Sequence, residues 1–184
     1  FDFRDEYVCD VLVEALKRNR SLEELVLSLY SNGISLSKFI YTLPNHPNLR
    51  SLSLCNQNNI PEQAIQVLRE WQSREDCRLK DLEISYVRNI PSPCQYIGGG
   101  VFESRALQQL RLEYARLSSN DLEGLCNAFP NLSVLSLFYN RICDLSPLEA
   151  ILLKEGYKIH ELDLRHNLVS RHSIMKFAAK IPQM

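Results

Sequence analysis

Residues 132–142 read Leu-Ser-Val-Leu-Ser-Leu-Phe-Tyr-Asn-Arg-Ile, and the spacing inside this stretch carries the fold. Leu132, two variable residues, Leu135, one variable residue and Leu137 make a step of three followed by a step of two. The closing alternation is that of a short strand with one buried side, because successive side chains along a strand point to opposite faces. Asn140 and Ile142 follow, where the chain leaves the strand. An amide there has both an acceptor and two donors for the backbone of adjoining turns.

The pattern recurs along the whole chain. Its copies are Leu22, Leu25, Leu27; Leu49, Leu52, Leu54; Leu79, Leu82, Ile84; Leu107, Leu110, Leu112; Leu132, Leu135, Leu137; and Ile159, Leu162, Leu164. Their first positions are separated by 27, 30, 28, 25 and 27 residues, a period that marks stacked supersecondary units. The last copy repeats the amide as Asn167 followed by Val169, whereas the first four carry Tyr30, Gln57, Val87 and Ala115. The amide is therefore not expected to recur over those four copies. Asn32 and Asn58 stand near enough to substitute after a small local shift.

Between the strands the spacing turns helical. Ala64, Leu68 and Trp71, then Leu122, Leu125, Cys126 and Phe129, then Ile174, Phe177, Ala178 and Ile181 each fall on one face of a helix. The opening stretch Asp5 to Asn19 reads as a helix with Val8, Leu12, Ala15 and Leu16 inward. Ser146-Pro147-Leu148-Glu149 predicts an N-cap, a first-turn proline and a capping box. Between Tyr86 and Ala106, Pro91, Pro93 and Gly98 to Gly100 predict a looser, protruding connection.

Strand-plus-helix units of this length and leucine spacing resemble the leucine-rich-repeat superfamily. The likeness is to its ribonuclease-inhibitor-like and cysteine-containing classes, as in F-box adaptors and innate immune receptors, and it spans roughly Asp5 to Ile181. It implies an α/β solenoid, or horseshoe, with parallel strands on the concave side and helices on the convex side. Residues 1–184 then form one array of about six repeats. Because those classes are mostly intracellular, it also implies a cytoplasmic protein. Repeat arrays need polar caps at their ends; with none evident, the expectation is a piece of a longer chain, part of a larger complex.

Composition narrows the function. Lys and Arg number 21 against 22 Asp and Glu, a net charge of −1, which offers no attraction to a phosphate backbone or an anionic membrane. Apolar runs such as Ala150 to Leu153 fall far short of the roughly 20 residues that span a bilayer. The six cysteines form no Cys-x-x-Cys pair, and Cys9 and Cys126 sit at helical core positions, so buried thiols in a reducing compartment are expected, although an even count leaves disulfides open. His46, His160, His166 and His172 lack metal-ligand spacing, and Gly98 to Gly100 are followed by no lysine of a phosphate loop. No nucleophile motif is present either. The expectation is a protein that is not an enzyme and carries no cofactor or metal.

A parallel stack places the residues flanking the inward leucines on the opposite, concave face. Among them are Asp81, Glu83, Arg111, Glu113, Phe138, Asp163 and Arg165. One register further on come Leu29, Asn56, Tyr86, Tyr114, Tyr139 and His166. Tyrosines in three successive copies suit a contact surface, since each offers area at small entropic cost and a hydroxyl for orientation. The plainer reading is that the rings roof the core, and that the charges are a solvated face. The binding reading has a protein or peptide dock between the third and sixth copies, anchored by Tyr114, Phe138 and Tyr139. Two alternatives remain: a GTPase-activating surface using a polar residue such as Arg111 or Asn140, and a structural subunit of a large assembly.

Overall fold

The computed structural model describes residues 6–28, 34–55, 60–86, 104–153 and 158–180. Expectations on Leu29, Tyr30, Asn32, Asn56, Gln57, Asn58, Val87, Pro91, Pro93, Gly98 to Gly100 and Ile181, and on the side chain of Cys126, lie outside the described residues.

Each described copy of the pattern supplies a strand: β1 (Glu24–Ser28), β2 (Ser51–Cys55), β3 (Asp81–Ser85), β4 (Gln109–Glu113), β5 (Val134–Ser136) and β6 (Glu161–Asp163). They form one six-stranded sheet in chain order, every neighbouring pair parallel. The fold is α/β. Parallel neighbours require a crossover between them, and helices are found in these connections: α2 (Ile34–Thr42), α3 (Glu62–Gln72), α4 (Leu122–Ala128) and α5 (Ser146–Leu152), with α1 (Glu6–Arg18) before β1 and α6 (Arg171–Lys180) after β6. Helices adjacent in the chain pack against each other, α1 on α2, α2 on α3, α4 on α5 and α5 on α6.

The register explains the spacing of the repeat. Leu25, Leu52, Leu82, Leu110, Leu135 and Leu162 lie side by side across the sheet, and Leu27, Leu54, Ile84 and Leu112 do the same two residues on. These rows share one core with Leu68 and Trp71 of α3, Leu122 and Leu125 of α4, and Leu148 of α5. Full burial of each such side chain stabilises by about 2 kcal/mol. The sheet ladder starts one residue before each strand: Arg50 N–H donates to Glu23, Lys80 to Arg50, Gln108 to Lys80, Ser133 to Gln108 and His160 to Ser133, at 2.7–3.0 Å.

The two amides act between repeats. Asn140 Oδ1 accepts from the N–H groups of Ala115 (3.1 Å) and Leu117 (3.0 Å), while its Nδ2 donates to the carbonyls of Leu112 (2.8 Å) and Leu137 (2.9 Å). Asn167 does likewise one repeat later, accepting from Ile142 N–H (3.0 Å) and donating to Leu137 (2.8 Å) and Leu164 (3.0 Å). Each amide thus ties the turn before it, so the copy bearing Ala115 is held by its successor's asparagine.

Three local expectations are corrected. In α1 Leu16 is buried and Leu12 packs against the core as expected, but Cys9 and Val13 complete the buried line and Ala15 is exposed; the inward face is shifted, since Cys9 rather than Val8 takes the i position of the stripe. The capping box at Ser146 does not form: the Ser146 N–H and hydroxyl both donate to Asp144 Oδ1 (2.9 and 2.7 Å), and Glu149 pairs with Lys180 instead. In α6 only Phe177 of the expected face is buried, while Ile174 and Ala178 are exposed, because this helix touches a neighbour on one side only.

Candidate functional site

Where the chain leaves the sheet, the backbone does the same thing four times. Tyr86, Tyr114, Tyr139 and His166 have φ of 57°, 51°, 56° and 58°. This is the left-handed region, which costs a residue with a Cβ about 1–2 kcal/mol. The turn also continues the ladder, for Tyr86 N–H donates to the carbonyl of Glu113, Tyr114 to Phe138 and Tyr139 to Arg165, at 3.0–3.1 Å. Arg116, with φ of 58°, is left-handed as well but belongs to no such row.

Identical backbone at each register aims the four side chains alike. Tyr86 stacks on Tyr114 with ring centroids 4.1 Å apart, Tyr114 on Tyr139 at 4.3 Å, and Tyr139 on His166 at 5.5 Å. Phe138, on the sheet face beside them, meets Tyr114 edge-on at 5.5 Å and His166 at 5.0 Å, and the Arg165 guanidinium lies 5.6 Å from its ring centre. Each stacked or edge-to-face pair adds roughly 0.5–1.5 kcal/mol beyond its area, enough to offset part of the backbone cost. The rings are not a closed roof over the core, however: Tyr86 is 47% and Tyr139 51% exposed. A hydrogen-bonding contact with the Tyr86 phenol, then desolvation and nearby charge, pushes the Tyr114 hydroxyl up from its ordinary pKa.

The sheet face turned away from the core is polar and acidic. Its outward positions carry Glu24, Asp81, Glu83, Glu113, Glu161 and Asp163 against Arg111 and Arg165. The cations are engaged nearby. Arg165 binds Asp163 through Nε and a terminal nitrogen (2.7 Å at the shortest), holding that carboxyl below the usual range, and Arg111 donates to Gln109 Oε1 at 2.9 Å. Glu83 accepts from Ser53 Oγ (3.0 Å) and Cys55 Sγ (3.5 Å), and Glu113 accepts from Ser136 Oγ (2.7 Å). Among the described residues, neither glutamate has an ion-pair partner. Burial pushes the Asp81 carboxyl up, with Arg111 and Lys80 opposing, and its Oδ1 is enclosed without a hydrogen-bond partner.

The expected site residues therefore separate into two groups. Tyr86, Tyr114, Phe138, Tyr139 and Arg165 form one contiguous aromatic cluster, with Asp163 attached through Arg165 and Glu113 bordering it. Asp81, Glu83 and Arg111 lie on the sheet face beside the cluster and make none of its ring contacts. His166, which shares the register of the tyrosines but was not among the expected contact residues, joins the cluster by stacking on Tyr139. Asn140, an expected polar group for a GTPase-activating surface, is buried with its amide committed to backbone. It has nothing to lend a partner.

Neither protein-family models nor curated proteins match this chain. Cys9, Cys55, Cys77 and Cys143 carry free thiols. Among the described residues no group of His, Cys, Asp and Glu is placed to hold a metal ion, and no helix is long and apolar enough to cross a membrane.

Proposed function

We propose that the chain is a non-enzymatic, leucine-rich-repeat protein-interaction module, an adaptor, sensor or scaffold of the cytoplasm. Its sheet forms the concave side of a short solenoid, and a protein or peptide partner docks there against the aromatic row. One observation carries the reading: large aromatic residues occupy a left-handed backbone position four repeats running, where glycine or asparagine is the low-cost choice. Strain of this kind recurs where the side chain is wanted for contact. Half of each outer tyrosine stays in water, which gives a contiguous aromatic surface rather than a packed interior. Aromatic rings of this type are the commonest anchors of protein interfaces.

The test replaces Tyr114, Phe138 and Tyr139 together by alanine. Partner capture by the variant should fall at least tenfold, the loss of one or more anchors, while its circular dichroism and cooperative melt stay those of a folded protein. Undiminished capture by the folded variant would overturn the proposal.

A further inference from the structure

The charge around the aromatic row is not evenly shared. At the β5–β6 end, Asp163 has its own cation in Arg165, which also sits over Phe138. At the β3–β4 end, Asp81, Glu83 and Glu113 have hydrogen bonds from neutral groups or none and, among the described residues, no ion pair; Arg111 donates to Gln109, while Arg111 and Lys80 reach Asp81, and Arg165 reaches Glu113, only through space. The ring stack also ends here. Tyr86 is stacked on one face by Tyr114 and, among the described residues, receives no second ring and no cation on the other. The outward residues of the neighbouring strand β2 are Ser51, Ser53 and Cys55, all small. A half-exposed aromatic face thus stands on the same strand as two carboxylates, beside a row of short side chains.

We infer that this face receives a basic segment of the partner polypeptide, with an arginine laid against Tyr86 and countered by Glu83 and Glu113. The inference rests on the reading of this face as a protein-binding surface and adds the chemistry of what it binds. Arginine fits better than lysine because a planar guanidinium both stacks on a tyrosine ring and bonds a carboxylate in the same plane. Complementary charge of this kind sets partner choice more than raw affinity, and it disfavours nucleic acid and anionic lipid on the same face.

The experiment uses the whole chain at low ionic strength with fluorescent homopeptides of arginine, lysine and glutamate and a neutral Gly-Ser peptide, read by anisotropy. The arginine peptide should bind most tightly, lysine more weakly, and the other two not measurably. The pair Glu83→Gln with Glu113→Gln should weaken arginine-peptide binding roughly tenfold, and Tyr86→Ala by a similar factor. The pair Glu62→Gln with Glu70→Gln, on the exposed side of α3, removes the same charge and should change binding less than about twofold, the size of a screened long-range effect. Equal loss in both double variants, no arginine-peptide binding, or equal binding of the Gly-Ser peptide would each overturn the inference. The two readings fail differently. If the Tyr114, Phe138 and Tyr139 variant loses its partner while the glutamate variants keep theirs, the surface stands and only its basic ligand is wrong. If that triple variant keeps its partner, the surface itself is wrong.

Discussion

Strands β5 and β6 carry the same leucines at the same register, yet their surroundings differ. Leu135 and Leu137 are fully buried, whereas Leu162 and Leu164 are half-buried, and Leu168 and Met175 beyond them are 67% and 62% exposed. The difference lies in the neighbours, since β5 has a strand on each side and β6 on one only. Where parallel strands pair in chain order, each strand's inward leucines are covered in part by the strand that follows. Burial, and with it stability, is therefore a property of position in the array.

The sharpest way to break that comparison is to remove the same side chain at both places. Leu135→Ala should cost about 3–4 kcal/mol, the range for a leucine in a closed core, and Leu162→Ala, its register partner, about 1 kcal/mol, because its site is already open to solvent and collapses readily. Urea unfolding of the two variants measures both. Comparable losses would mean that the end strand is covered as well as the middle one.

A second, smaller effect is expected for the amides. Asn140→Ala leaves two N–H groups and two carbonyls of adjoining turns unpaired in a dry interior, and should destabilise by about 2–3 kcal/mol. Asn167→Ala, half-buried and with a single backbone N–H to satisfy, should cost about 1 kcal/mol. Equal values would show that the amide supports its own turn and not the one before it.

What was legible in the sequence follows from the same logic. The strand positions and their parallel order were readable because each leucine triplet states its own inward side, and a fixed period states the neighbours. The tyrosine row was readable for the same reason, since Tyr86, Tyr114 and Tyr139 share one register. The inward face of α1 was not, because Val8 and Cys9 are both apolar and the stripe fits either within one residue. The bareness of α6 was hidden too, for Ile174 and Ala178 have the right spacing and lack only a helix on their far side. Cross-strand pairs such as Ser53 with Glu83 needed rotamers that spacing does not supply, and the left-handed turns at aromatic residues run against local preference, so no propensity argument predicts them.

The smallest effect concerns the other end of the array, where α1 and α2 close over the first strands. His46 is buried there at 8% exposure, and neither ring nitrogen reaches a hydrogen-bond partner. Burial pushes its pKa below the ordinary 6.5, and the Arg20 charge adds to this; the Asn19 carbonyl opposes, from outside hydrogen-bond geometry. The folded protein thus disfavours the imidazolium relative to the unfolded chain. Stability should be full above the ordinary histidine pKa and fall as the pH drops through it, until the buried ring also takes a proton. Between pH 7.5 and pH 5 the melting temperature should drop by a few degrees more in the parent than in His46→Leu, which removes the titrating ring and keeps an apolar side chain. Parallel pH profiles for the two proteins would place the acid sensitivity elsewhere and leave the α1 end as insensitive to protonation as the middle of the sheet.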